Sequence, residues 1–364
     1  MQKLDKNLFV RVDSGTKIGI GHVMRCFALV ENLKKRFDNI LFISNQIPGN
    51  LSSFIKNRGY KVYHIQGYTH IEEKKLNPKN IKKRIESDAK QCIKIIENYP
   101  NAENWVLVDH YGIDHKWENK IYEHVKKIIV IDDLANRKHN CDVLIDQNFY
   151  KNMKNRYKKL LPPNCTQLIG PKYILLRQEF KIARNKVKIR EKLKRILVSF
   201  GGSDITNETY KSLLALKSLN LKCKIDVVVG SANPNINSIK EICDCMGSTN
   251  LYHNTNKIAK LMVSADLSIG GGGSMTWERC CLGLPAIVSI LSKNQHQLIK
   301  NVSKVGCVIN LGQSNNLSSE DYLNALLKID SKLLKNMSKK CFALVDTNGI
   351  KRVTTKIFQI KCRD

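Results

Sequence analysis

No run of apolar residues in the sequence approaches bilayer-spanning length, although 42% of its 364 residues are hydrophobic. That balance excludes a helical membrane span and leaves enough chain for two ordinary globular domains, each with its own core. The opening "MQKLDKNLFVRVD" lacks the charged-then-apolar layout of a signal peptide, so the cytoplasm is the expected compartment. Twelve cysteines are present, but no pair has CxxC spacing; the nearest groupings are Cys243 with Cys245 and the adjacent Cys280 and Cys281. Reduced, half-buried small residues are therefore expected, not a disulfide framework or a metal centre. The P-loop pattern GxxxxGK[ST] is absent, and so is a Rossmann fingerprint with its downstream acid, which argues against a standard NTPase. There is no internal repeat and no low-complexity tract.

Acidic residues are scarce. Against 61 lysines and arginines stand 32 aspartates and glutamates, for a net charge of +29. An excess of this size invites a nucleic-acid reading. The lysines, however, are dispersed on expected helix faces ("NLKKRF", "NIKKRIES", "EHVKKI", "LLKNMSKKC"), with no stripe of interleaved aromatics. A solvated surface that draws in anionic substrates is expected, with neither nucleic acid nor membrane as partner. The oligomeric state is left open, a monomer included.

What the sequence does have is alternation. "LFVRVD", "NILFIS", "YKVYHI", "NWVLVDH" and "KIIVIDD" read as buried parallel strands. Amphipathic helices separate them, one starting near His22 with Val23, Phe27, Val30 and Leu33 on one face, another from about Ile81 to Ile96. The rhythm breaks from about Tyr150 to Lys192. It restarts at "RILVSFGGSD" and continues through "KIDVVVG", "NLYH", "DLSIGGGG", "PAIVSI" and "CVINL". The expected fold is α/β: two doubly wound parallel-sheet domains facing each other across a cleft. The expected boundaries are 1–170 for an N-terminal Rossmann-like domain, 171–192 for a linker, 193–345 for a C-terminal nucleotide-binding domain, and 346–364 for a C-terminal helix that could pack back onto the first domain.

Ligands in such sheets bind beyond the carboxyl ends of the strands, and three glycine turns fall there. The first holds Gly19 and Gly21 before His22; Arg25 follows one helical turn later. The second is "SFGGSD", with Gly201, Gly202 and Ser203. The third is "GGGGSMTWERCCLGLP", with Gly272, Gly273, Ser274 and Glu278. Each either forms only a tight turn or lets an anion approach backbone N–H groups and a helix end; three at equivalent places favour a diphosphate. Glu278 either complements a helix dipole or accepts hydrogen bonds from two ribose hydroxyls. Further polar groups at strand ends are Asp109, His110 and Tyr111, then Asp132, Asp133 and Asp146, and lastly Asn294, Gln295 and His296. Capping alone would explain many of them. Neither a DxD nor a histidine-rich set suggests a divalent metal, and no cofactor is implied.

Taken together and in order, "KIGIGHVMRC", "VDHYGID", "IDDLANRKHNCDVLIDQN", "GPKYILLRQEF", "SFGGSD", "GGGGSMTWERCCLGLP" and "KNQ" resemble the UDP-2,4-diacetamido-2,4,6-trideoxy-β-L-altropyranose hydrolases of pseudaminic acid biosynthesis. The resemblance spans nearly the whole chain. It implies a GT-B architecture and a metal-independent hydrolysis that releases UDP and the free 2,4-diacetamido sugar. By the same resemblance His22 is the catalytic base, with Tyr111 and Asn294 as further catalytic residues. Asp109 would orient or polarise the site. Gly272, Gly273, Ser274 and Glu278 would hold UDP, and Gly19, Gly21, Arg25, Gly201, Gly202, Ser203 and Gln295 complete the expected substrate contacts. An imidazole suits the base role because its ordinary pKa lies near cellular pH. The rival readings are a GT-B glycosyltransferase with an alcohol acceptor, a UDP-sugar 2-epimerase and, from another class, a basic nucleic-acid-binding protein. The roles of Asp132, Asp133 and His296 are not assigned by the resemblance.

Overall fold

The computed structural model describes residues 4–66 and 77–362. The chain divides into two units: Met1–Asn148 with Asn152–Arg177 and Asn348–Asp364, and Phe149–Lys151 with Gln178–Thr347.

The first unit is built on a seven-stranded parallel sheet. Its strands are β1 (Asp5–Val12), β2 (Asn39–Asn45), β3 (Lys61–Ile65), β4 (Ala102–Asp109), β5 (Lys127–Ile131), β6 (Val143–Asp146) and β7 (Thr166–Ile169), in the order β3-β2-β1-β4-β5-β6-β7. Central strands of such a sheet are covered on both faces, which is why "NLFVRV" reads as a near-continuous apolar run. Leu8, Val10 and Val12 of β1 face one core, with Val23, Phe27 and Val30 of helix α1 (Gly21–Leu33). Phe9 faces the other, with Ile85, Ala89 and Cys92 of the long helix Pro78–Ile96. Ile350, Val353 and Ile357 of the C-terminal helix Gly349–Gln359 close the first core. The buried Lys127 ammonium donates to the Ile357 and Ile360 carbonyls at 3.0 and 2.7 Å, tying the end of that helix to the sheet.

Strand β7 falls inside the stretch expected to be irregular. "TQLI" is only four residues long and follows "LLPPNC", so its own sequence carries little strand signal. Pairing with β6 in register from Val143↔Thr166 to Asp146↔Ile169 decides its conformation.

The second unit holds a six-stranded parallel sheet: β8 (Arg195–Ser199), β9 (Lys224–Val229), β10 (Thr249–His253), β11 (Leu267–Gly271), β12 (Ala286–Ile290) and β13 (Val308–Gln313), ordered β10-β9-β8-β11-β12-β13. Ile196 and Val198 pack with Leu213, Leu216, Ile239 and Ile242 from the helices Glu208–Leu219 and Ile236–Asp244.

Strand order fixes where ligands can bind. Successive crossovers run outward from β1 in one direction, and β4 starts the other half; β8 and β11 stand in the same relation. Each pair is a topological switch point, where the loops leaving the strand ends diverge and open a crevice. The first pair ends at Val12 and Asp109, the second at Ser199 and Gly271. All three glycine turns leave from these four strand ends. No helix among the described residues is long and apolar enough to cross a membrane.

Candidate active site

In the first unit, the chain leaving β1 makes a tight loop. Gly15 and Gly19 exchange backbone hydrogen bonds at 3.3 and 2.7 Å, and Gly19 adopts φ +83°, a conformation that strains any other residue. This loop delivers His22 to the first turn of α1. There His22 Nδ1 lies 2.6 Å from Asp109 Oδ1 at the end of β4. The carboxylate is buried and doubly held by Arg25, with Nε 2.5 Å from Oδ2 and Nη2 2.7 Å from Oδ1. Arg25 Nη1 reaches Asp133 Oδ2 at 2.8 Å, and the Tyr111 hydroxyl donates to Asp133 Oδ1 at 2.8 Å. The Tyr111 ring stands edge-on to the imidazole, with centroids 4.5 Å apart. His22, Arg25, Asp109 and Tyr111 are thus brought together, with Asp133 as the link between two of them.

A carboxylate saturated by arginine and facing Nδ1 selects the imidazole tautomer with its proton on Nδ1, leaving the Nε2 lone pair for a ligand. Burial pushes the Asp109 carboxyl up, but the Arg25 charge, with the hydrogen bonds from Arg25 and His22, more than offsets this and holds it well below the usual carboxylate range. Burial likewise opposes the charge on Arg25, while Asp109 and Asp133 hold its guanidinium above its already high ordinary value.

A recess beside His22 is lined by Asp13, Ile18, His22, Asp109, His110 and Tyr111. Asp13, not singled out from the sequence, directly follows β1, at a strand end equivalent to that of Asp109 on β4. It accepts from Arg11 Nη1 at 2.6 Å and from the Asn45 amide at 2.8 Å, and lies 3.2 Å from His110 Nε2. Behind it Arg11 also pairs with Asp88 at 2.7 Å. Burial again raises the Asp13 carboxyl, and Arg11 and His110 pull it well below the usual range. Both Asp13 and Asp109 therefore stay ionised in the folded chain under conditions that protonate them when unfolded. Their contribution is fully present above about pH 4 and is lost as the pH falls further. A thermal-unfolding series should show the midpoint falling progressively as the pH drops below about 4; a flat profile there would contradict the pairing.

Asp132, Asp146 and Tyr157 form a separate buried group, with the tyrosine hydroxyl 2.9 Å from Asp132 Oδ2 and 3.0 Å from Asp146 Oδ2. Burial pushes Asp146 up to about 7, with Arg156 opposing and Asp133 adding to the shift.

In the second unit Gly201 has φ +89°, and Gly202 packs so closely on Gly230 that a Cβ there would lie 2.5 Å from the Gly202 Cα. Ser203 follows, half-buried, and Asp204 accepts the Glu208 and Thr209 amides at 2.9 Å, capping the next helix. At the end of β11, Gly272 and Gly273 run beneath Gln295: a Cβ on Gly272 would lie 3.2 Å from Gln295 Oε1, and one on Gly273 would lie 3.6 Å from Nε2. Gln295 Oε1 also accepts the Leu291 amide at 3.0 Å. Ser274 is exposed and Glu278 half-buried on the helix Met275–Cys281. Asn294 is exposed and accepts from Ser292 Oγ at 2.5 Å; His296 is exposed on the helix Gln295–Val305. The structure thus groups Gln295 with the third glycine turn.

The cysteines are more deeply placed than expected: ten of the twelve are buried. Cys280, Cys307 and Cys341 converge from three elements with their sulfurs within 4.8 Å of one another, the one grouping of His, Cys, Asp and Glu donors among the described residues close enough to hold a metal ion. Positions so far apart in the chain leave no spacing signal.

Residues 196–353, which include the second and third glycine turns, match the glycosyltransferase family 28 C-terminal domain. Among curated relatives, an uncharacterized protein of Methanocaldococcus jannaschii is 28% identical over 80% of this chain, which spans 58% of that protein's length. The spore coat polysaccharide biosynthesis protein SpsG of Bacillus subtilis is 26% identical over 94% of this chain and 95% of its own. The UDP-2,4-diacetamido-2,4,6-trideoxy-β-L-altropyranose hydrolase of Campylobacter jejuni is 26% identical over 81% of this chain and 96% of its own, so the resemblance expected from the motifs holds. MurG of Acinetobacter baumannii is structurally similar at TM-score 0.66, with 15% identity over 98% of this chain and 100% of that one. The UDP-GlcNAc 2-epimerase of Neisseria meningitidis, bound to UDP-GlcNAc, gives 0.65 with 12% identity over 98% and 100%. With the two parallel-sheet units, these likenesses make the fold that of a GT-B-like protein. The stretch that matches family 28 begins within β8 and includes β11, so it spans the second switch point.

Proposed function

We propose that the chain is an enzyme acting on a UDP-sugar, and that its reaction is hydrolysis, releasing UDP and 2,4-diacetamido-2,4,6-trideoxy-L-altrose. A water attacks the anomeric carbon. The bond from that carbon to the β-phosphate oxygen breaks, its electron pair leaves with UDP, and His22 Nε2 takes the water's proton. Asp109, kept anionic by Arg25, stabilises the imidazolium that forms. Tyr111 and Asn294 position the sugar or the water. Gly19 and Gly21 shape the approach to His22, and the turns Gly201–Ser203 and Gly272–Ser274 receive the diphosphate through backbone N–H groups. In the third turn these are the N–H groups of Gly273 and Ser274, because the Gly272 N–H donates to the Ser289 carbonyl at 3.1 Å. Gln295 completes that surface, and Glu278 accepts the ribose hydroxyls. In this reading residues 1–170 supply the base and 193–345 hold UDP, with no divalent ion required.

The observation that carries the proposal is the His22–Asp109–Arg25 arrangement at the first switch point: an oriented imidazole with a free nitrogen, backed by a carboxylate that cannot protonate near neutrality. The named Campylobacter jejuni relative supports the choice of water as acceptor, and supplies the sugar. The test is an acceptor-free incubation with the UDP-linked diacetamido sugar in EDTA, followed by NMR. Free sugar and UDP at an undiminished rate are expected. Intact substrate would favour a glycosyltransferase awaiting its acceptor, and a C2-inverted product an epimerase. Metal-reversible loss of activity in EDTA would contradict the site described.

Gly272→Ala probes the nucleotide side. The added methyl would meet the Ile299 side chain and Gln295 Oε1. UDP affinity measured by calorimetry should fall by about tenfold or more, equivalent to roughly 1.4 kcal/mol. Unchanged affinity would place UDP elsewhere.

A further inference from the structure

Four arginines are buried among the described residues: Arg11, Arg25, Arg190 and Arg279. Arg11 and Arg25 each pair with two carboxylates. Arg190 directs every nitrogen at a carbonyl: Nε to Ala265, Nη1 to Lys188 and Leu282, Nη2 to Met262. Arg279 is different. Its Nη2 donates to the Gly271 carbonyl at 2.7 Å and to Thr276 Oγ1 at 3.2 Å, while Nε and Nη1 have no hydrogen-bond partner. It forms no ion pair with any described residue, and it is 1% exposed.

The guanidinium lies directly against the third glycine turn. A Cβ on Gly270 would come within 3.0 Å of Nη1, and the Nη2 bond to Gly271 holds the last residue of β11. Burial pulls its pKa down to about 10, and the attraction of the nearby Cys280, Glu278 and Cys341 only partly opposes this. A buried cation with no carboxylate in an ion pair with it is costly, and two unsatisfied donors add to the cost. Such a feature persists where a charge of opposite sign arrives from outside. Low-dielectric surroundings carry its field to the nearby turn with little screening.

We propose that Arg279 is a positioning residue for the nucleotide: a buried counter-charge that favours the diphosphate on the Gly272–Ser274 turn without touching it. This deepens the functional reading above and rests on it. The guanidinium acts on charge, so its effect grows with the number of phosphates on the ligand. It makes no contact with the nucleoside and leaves nucleoside binding nearly unchanged.

The experiment compares wild type, Arg279→Met and Arg279→Lys for binding of UDP, UMP and uridine by calorimetry, with thermal unfolding of each unliganded protein. Met is uncharged and similarly long, so the unliganded Arg279→Met protein should unfold at the wild-type temperature or above it. Its UDP affinity should fall on the order of tenfold, UMP less, and uridine hardly at all. Arg279→Lys, which keeps the charge, should retain most of the difference between UDP and uridine. Wild-type UDP affinity in Arg279→Met, or equal losses for UDP and uridine, would overturn the inference and leave the functional reading intact. So would a lowered unfolding temperature or failure to fold in Arg279→Met, since either makes the arginine a structural prop. A wild-type protein that binds no uridine nucleotide would instead overturn the functional reading, and the inference with it.

Discussion

His22→Ala and His22→Asn are expected to lower turnover of the UDP-sugar by roughly a thousandfold, while UDP affinity stays within about twofold of wild type. The two readouts separate because the imidazole and the proposed UDP-binding turns are built on different sheets. A positioned base typically contributes 10²–10⁴ in rate, and each tenfold is about 1.4 kcal/mol of barrier. The edge-on contact with Tyr111 and the bond to Asp109 both end at the imidazole, so Asn preserves a polar group but no base. Single-turnover kinetics and UDP calorimetry on the same preparations check this. Loss of both turnover and UDP binding would make His22 structural.

Asp109→Asn should be nearly as damaging to the rate, by about 10²–10⁴, and should also destabilise the protein. Asp109 accepts from His22 on one oxygen and from Arg25 on both. An amide offers only one acceptor. If its oxygen faces His22 Nδ1, its NH₂ group faces Arg25 Nε; if it turns over, the imidazole is driven to the tautomer with its proton on Nε2 and can no longer accept one there. Breaking one partner of a buried charge pair costs about 3–5 kcal/mol, because the remaining charge is left uncompensated. Both kcat per folded molecule and the unfolding midpoint should therefore fall. A midpoint that falls while kcat holds would confine Asp109 to the fold.

The alternation of strands and helices was legible because buried parallel strands are apolar throughout and the helices between them are amphipathic. The glycine turns were legible because strand ends in doubly wound sheets are where backbone must approach a ligand. Asp109 stood out at the end of "NWVLVD". Asp13 ends "LFVRVD" in the same way, and applying one rule to both strands would have found it. Partnerships are another matter. Arg25 meets Asp109 across 84 residues and Asp133 across 108, and Tyr111 meets Asp133 across 22. Only the sheet order, with β4 and β5 adjacent, sets those contacts. Arg279 reads in "TWERCC" as an ordinary polar helix residue, and its burial comes from packing that no local pattern encodes. The thiol cluster of Cys280, Cys307 and Cys341 is hidden for the same reason.

The most direct test of the central claim is an acceptor-free NMR time course with the UDP-linked 2,4-diacetamido-trideoxy sugar, wild type beside His22→Ala. The account predicts free sugar and UDP in equal amounts from wild type, and intact substrate with the variant at matched UDP binding. Intact substrate in both, with UDP bound in both, would contradict hydrolysis; equal release by both would contradict His22 as the base.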